Sequence, residues 1–238
     1  MSRVLTLAGR EWRSFFLSPV GYIIMAIWAL MTGVFFISRS FDQGQPASLR
    51  SVFELGMWML LFVCPAISMR AISEERRMGT FELLMTSPIS ETGVVLGKFL
   101  AVMGFLVVMF LPTAVPIVAL EWFGQPDYGE LACGYLGLML AGAAYLSSGL
   151  LASSLTNSQV VAFLITMFFW VALAMTARLL PGVLPAPWPN VAFAADPDPR
   201  LRDFAIGLID TSNVIYFVSL TVFFLLATVG SLASRRWR

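Results

Sequence analysis

Histidine is missing from all 238 residues. That removes imidazole metal sites, HExxH zinc motifs and any catalytic triad built on His. Cysteine is scarce as well. Cys64 and Cys133 stand alone with no CxxC spacing, which supports neither redox chemistry nor a disulfide framework. Both lie in or beside apolar stretches, where small buried thiols are ordinary. Charge is the third scarcity: 12% of residues carry one, about half of the ~25% usual in soluble domains. The 15 Lys and Arg against 14 Asp and Glu leave +1, too little field for a nucleic-acid partner. Apolar residues fill the space, at 58% of the chain with 20 Phe, 13 Met and 7 Trp. This composition excludes a disordered chain and a coiled coil, and points to an all-α integral membrane protein.

Charges mark where spans end, because an ionised side chain at the bilayer centre costs several kcal/mol. Between Arg13 and Arg39 lie 25 uncharged residues, between Lys98 and Glu121 lie 22, and between Asp210 and Arg235 lie 24. Each suffices for the ~20 residues that cross about 30 Å of hydrocarbon. The 47 uncharged residues from Leu131 to Ala177 are too many for one crossing and must fold back, at the polar run from Ser153 to Gln159. The 15 residues from Leu55 to Met69 reach spanning length once a turn is added at Ser51 to Phe53. Six spans are therefore expected within a single membrane domain covering 1–238, at about 20–38, 52–69, 94–120, 131–153, 160–177 and 214–233. Pro112 and Pro116 are expected to kink or end the third.

An even number of spans puts both termini on one side. Ten of the fifteen basic residues fall there: Arg3, Arg10, Arg13, Arg70, Arg76, Arg77, Lys98, Arg235, Arg236 and Arg238. The positive-inside rule makes that side cytoplasmic, as for a bacterial inner-membrane protein. No cleavage site follows the first apolar stretch, which reads as an uncleaved anchor.

Three segments outside the spans carry pattern. At about 3–16, Leu5, Ala8, Trp12 and Phe15 recur at helical spacing among charges, which suits an interfacial elbow helix with Trp12 at headgroup level. A plain start to the first span is the alternative; Ser18-Pro19 favours the elbow. At about 70–90 the charge is densest. Gly79 breaks a helix there, Thr80 caps a short new one with Glu82 in its first turn, and Leu83, Leu84 and Met85 give it an apolar face fit for a partner's groove. A solvated loop is the competing reading. At about 178–213, 6 of the 13 prolines forbid regular helix, and Leu201, Phe204, Ala205, Leu208 and Ile209 then form a stripe. That stripe fits either an external interfacial helix or a re-entrant segment.

Catalytic patterns fail one by one. The run Gly93 to Phe99 lacks the spacing of a nucleotide loop, and Phe99 stands where Ser or Thr would bind magnesium. Gly93 with Gly97, and Gly137 with Ala141, instead offer small faces for close helix contact. Lys98 is expected to snorkel to the cytoplasmic surface. No span holds an acidic residue securely at its centre, a weak basis for a proton- or sodium-coupled carrier.

The run "MRAISEERRMGTFELLMTSPIS", followed by "LGKFLA", resembles the cytoplasmic loop of type-2 ABC exporter permeases. The opening "EWRSFFLSPVGYI" and the later "LLASSLTNSQVVAF" are similar to the gliding-motility-type branch of that family. The resemblance runs to about Ala177 and weakens through the Pro-rich loop. It implies the type-2 permease fold: six spans, an amphipathic elbow holding Trp12 and Phe15, and a cytoplasmic coupling helix between the second and third spans. On it, Glu74, Glu75, Arg76, Gly79, Thr80, Glu82, Leu83 and Leu84 map onto the coupling region. It further implies two permease copies bound to two cytoplasmic ABC ATPase subunits, which hold the ATP and Mg, this chain binding no cofactor or metal. A separate membrane-anchored auxiliary protein with an extracytoplasmic domain often accompanies that branch.

The expected function is thus the non-catalytic permease half of an ATP-driven transporter, acting in export, extraction or remodelling at the membrane. A non-translocating scaffold that recruits an ATPase and an auxiliary protein is the alternative, and a secondary carrier a third.

Overall fold

The computed structural model describes residues 2–39, 48–79, 89–123, 126–179 and 194–235. Among them the regular structure is entirely helical. The helices are α1 (Ser2–Leu17), α2 (Pro19–Arg39), α3 (Arg50–Ser68), α4 (Arg70–Arg77) and α5 (Glu91–Phe110). A 3-10 turn, Leu111–Thr113, leads into α6 (Ala114–Phe123). Then come α7 (Tyr128–Leu155), α8 (Gln159–Leu179), α9 (Pro197–Ala205) and α10 (Thr211–Arg235).

Among the described residues six stretches are long and apolar enough to cross a membrane: Pro19–Arg39, Arg50–Arg77, Glu91–Trp122, Tyr128–Leu155, Gln159–Thr176 and Thr211–Ser234. The expected all-α fold with six candidate spans is thus what the chain adopts. Local chemistry sets several ends. Ser90 accepts the Gly93 amide and starts α5, with Glu91 in its first turn. Asp127 caps α7 through the Gly129 amide at 2.7 Å. Pro112 cannot donate a backbone hydrogen bond, and the third span passes it as a 3-10 turn and resumes as α6 instead of ending. The polar run after Ser153 is the expected turn: α7 stops at Leu155 and α8 starts at Gln159.

The core is built around α7, which touches α3, α4, α5, α8, α9 and α10. Of its apolar window 72% is buried inside this one chain, against 22% for α2 and 17% for α8 and α10. Those last three therefore form the periphery. Gly149 lets α3 come close: a Cβ there would lie 1.8 Å from Ser68 Oγ. Inside the bundle, Trp170 donates to Ser148 Oγ at 2.8 Å and its ring meets Tyr145 edge-on. Cys64 and Cys133 are buried free thiols, as their apolar settings imply.

Two expectations about peripheral helices need correction. The stripe after the Pro-rich loop is shorter than its periodicity suggests. Gly207, at φ +84°, ends α9, so Leu208 and Ile209 lie beyond it and are exposed. The remaining Leu201, Phe204 and Ala205 are buried, with Phe204 seated over Gly137 of α7. The second correction concerns α1. It packs along α5 through Val4, Leu7, Glu11, Trp12 and Phe15; of the expected stripe Ala8 is buried too, and Leu5, 59% exposed, is the member that departs from it. Val4 lies beside Gly93 and Gly97, Leu7 at Gly97, Trp12 at Gly104, and Phe15 is stacked on Phe105 at 4.9 Å. The two helices therefore run side by side in the same direction, and the small face of α5 is where α1 docks.

Candidate functional site

The candidate site lies where α1, α4 and α5 meet. The stretch Glu91–Trp122 has 32 residues, about 48 Å of helix at ~1.5 Å per residue against about 30 Å of hydrocarbon. Arg50–Arg77 has 28, about 42 Å. Both outrun a bilayer, and the charged ends, α4 and the start of α5, lie together. Lys98 sits between them. Its side chain is 1% exposed, with Nζ 2.8 Å from Glu75 Oε1 and 3.5 Å from Glu11 Oε1. Glu11 also lies 3.2 Å from Arg10 Nη2. The expected snorkelling of Lys98 is thus corrected: its charge is met by two carboxylates inside the protein, at lower cost than an unpaired buried ammonium would carry.

This clasp joins three helices through one ammonium. A second fastening lies on the other side of α4. The Ile72 and Ser73 amides donate to Ser153 Oγ at 3.0 and 2.9 Å, and the Ser153 hydroxyl donates to the Met69 carbonyl at 2.9 Å. One donor and two acceptor positions are all that a hydroxyl has, so Ser153 is fully used. It pins the junction between α3 and α4 to the end of α7. Arg70 adds a one-turn pair, its Nε 3.3 Å from Glu74 Oε2, and its Nη1 reaches Ser18 Oγ at 3.4 Å.

Past α4, Gly79 takes φ +71° and its amide turns back to the Arg76 carbonyl at 3.2 Å, which ends the helix where the sequence predicts a break. Of the residues predicted for coupling, Glu74, Glu75, Arg76 and Gly79 are thus on α4 or at its end. Thr80, Glu82, Leu83 and Leu84 lie outside the described residues. The elbow pair is placed: Phe15 is half-buried on Phe105, and Trp12 is 37% exposed with its ring 4.9 Å from Phe16. Sequence reasoning misses Lys98, Glu11 and Ser153. A lysine inside an apolar stretch, with Glu11 and Glu75 earlier in the chain near the ends of neighbouring apolar runs, is the available signal for the first two.

The geometry fixes α1, α4 and α5 to one another. Among the described residues no group of His, Cys, Asp and Glu could hold a metal ion. The site holds the two helices that flank residues 80–88 as one body with α1 and α7.

Comparison with known proteins adds a family. A sequence model described as "ABC-2 family transporter protein" matches residues 37–194. Two curated relatives carry the name "Probable multidrug ABC transporter permease YbhR", one from Escherichia coli (strain K12) and one from Escherichia coli O157:H7. Each is 28% identical over 172 residues, covering 71% of this chain and 46% of the relative. The chain spans about half the length of the curated relatives it matches.

Proposed function

The chain belongs to the ABC-2 transporter family, and from that premise we propose that it is the membrane permease subunit of an ATP-driven transporter. A second copy completes the transport path, and two cytoplasmic ABC ATPase subunits supply ATP, Mg and the catalytic residues. The observation that carries this reading is the clasp of Lys98 with Glu75 and Glu11. It locks together both helices that flank residues 80–88, as force transmission from an ATPase requires.

In this mechanism the coupling region at about 70–90 sits in a groove on the ATPase. ATP binding closes the ATPase dimer and displaces it. Because α4 and α5 are tied to each other, to α1 and through Ser153 to α7, the displacement reaches the bundle core as a rigid shift, not as a local bend. The peripheral α8 keeps Val161, Ile165 and Phe168 exposed, which suits a second copy. Both termini are cytoplasmic, by the placement of ten basic residues. The opening and middle segments favour the gliding-motility-type branch, which a membrane-anchored auxiliary protein often accompanies. Cargo is exported, extracted or remodelled at the membrane.

The test is purification of the full chain with its ABC ATPase. A complex of two copies of each, with ATP turnover raised by the permease, is expected. A chain that captures no ATPase overturns the reading, and one that captures it without changing turnover is a scaffold.

A further inference from the structure

A cavity of about 180 Å³ lies beside the clasp, between α1, the start of α2 and the junction of α3 with α4. It far exceeds the roughly 10–15 Å³ that one water needs. Its polar lining is Glu11, Ser14, Ser18, Arg70 and Glu74; Val20, Ile24, Ala66, Ile67 and Ala71 supply an apolar wall. The position in the chain matters as much as the lining. Pro19 opens the apolar run of α2, and Arg70 is the first charge after the apolar run of α3. The cavity therefore sits at the level where two spans leave hydrocarbon, and its apolar wall lies on the span side.

Its charges are mixed in a specific way. Among the described residues of the lining, Arg70 is cationic and Glu11 and Glu74 are anionic; Glu11 Oε1 already faces Lys98 and Arg10, which leaves its other carboxylate oxygen for a ligand. Arg70 Nε is buried and makes no hydrogen bond among the described residues, although Glu74 Oε2 lies 3.3 Å away, out of line for one. A guanidinium N–H directed at a phosphate oxygen would satisfy it, with the Ser18 hydroxyl beside it. A purely anionic headgroup fits poorly, because two carboxylates face the same space. A headgroup that brings its own cation fits both signs.

We propose that this cavity is a headgroup site for a zwitterionic phospholipid with a primary ammonium, a phosphoethanolamine lipid held as a fixed structural component. The phosphate lies on Arg70 and Ser18, and the ammonium donates hydrogen bonds to Glu74 and Glu11. One acyl chain follows the wall formed by Val20, Ile24 and Ile67 toward the hydrocarbon. A phosphocholine headgroup keeps the positive charge but has no N–H to donate and is bulkier. The site thus distinguishes headgroups by hydrogen bonding as well as by charge.

The test uses the purified full chain and native mass spectrometry, with equimolar lipids of identical acyl chains bearing ethanolamine, choline or glycerol headgroups. One ethanolamine lipid per chain is expected, retained roughly fivefold or more over either competitor. Glu74→Gln should shrink the preference for ethanolamine over choline, and Arg70→Gln should lower retention of all three lipids. Ala71→Leu, which fills the cavity without touching a charge, should abolish the retained lipid. Circular dichroism checks that each variant keeps its helix content. Equal retention of the three lipids by the wild-type chain overturns the proposal, as does a preference that survives Ala71→Leu and both charge substitutions.

Discussion

Lys98→Met keeps an unbranched side chain of similar length and deletes only the buried charge. In a medium of effective dielectric about 20, unit charges at the two Lys98 separations attract by roughly 6 and 5 kcal/mol before desolvation. Burying the ammonium cancels much of that. Glu75 and Glu11 keep some contact with solvent, at 16% and 21% exposure. Glu75→Gln leaves the buried ammonium only the more distant Glu11 carboxylate and should lower stability by about 2–3 kcal/mol; Glu11→Gln removes that more distant carboxylate and should lower it by about 1 kcal/mol. The discriminating quantity is the coupling. Unfolding of the full chain in mixed micelles by rising sodium dodecyl sulfate, followed by helix signal, gives stabilities for Lys98→Met, Glu75→Gln and their combination. The double variant should be about 2 kcal/mol more stable than the two single effects imply, whereas Lys98→Met with the distant Glu54→Gln should be additive. A coupling below ~0.5 kcal/mol for Lys98 with Glu75 refutes the clasp.

Ser153→Ala removes the acceptor of two backbone amides, so stability should fall by about 1–3 kcal/mol, and the Ile72 and Ser73 amides should exchange faster with deuterium. Gly149→Ala puts a methyl 1.8 Å from Ser68 Oγ and should cost more than the usual ~1–3 kcal/mol of overpacking. Gly9→Ala, with nothing within 4 Å, should be neutral or stabilising by up to ~1 kcal/mol; thermal unfolding in detergent compares the pair. Burial holds the Asp196 carboxyl above its ordinary range, so the folded chain binds that proton more tightly than the unfolded chain. Wild-type stability should therefore fall relative to Asp196→Asn, which retains a capping side chain, as pH rises through the folded-state pKa. A gap that is flat with pH contradicts this.

The spans are legible because charges punctuate apolar runs, and a charge is costly inside a bilayer whatever its neighbours. The turn at 156–158 is legible for the same reason, from a polar run too long to bury. The register of α1 is not. The helical spacing of Leu5, Ala8, Trp12 and Phe15 reads as an interfacial helix and leaves Glu11 as one of the charges among them, with no partner assigned. The carboxylate of Glu11 in fact points inward to Lys98, which rotates Val4 and Leu7 onto α5. Periodicity treats each polar residue by its own solvation, and cannot register that a tertiary partner neutralises it. Lys98 is misread by the same logic, since snorkelling is the solution available to a lysine considered alone. Ser153 is one of several hydroxyl residues in its segment, and only the approach of α4 sets it apart from Ser154 and Ser158.

Binding of the ATPase and transmission into the bundle are separate steps of the proposed mechanism, and one paired measurement separates them. Full-length wild type, Lys98→Met, Glu82→Lys and the nearby charge control Glu91→Lys are each reconstituted with the ABC ATPase, and binding affinity and permease-stimulated ATP turnover are read on the same samples. Glu82→Lys should bind at least roughly tenfold more weakly, the ~1.4 kcal/mol or more expected of a desolvated charged pair, while Glu91→Lys should stay near wild type. Lys98→Met should bind as the wild type does and forfeit most of the stimulated turnover. Wild-type turnover in Lys98→Met, at full binding, would contradict the clasp as the transmitting element.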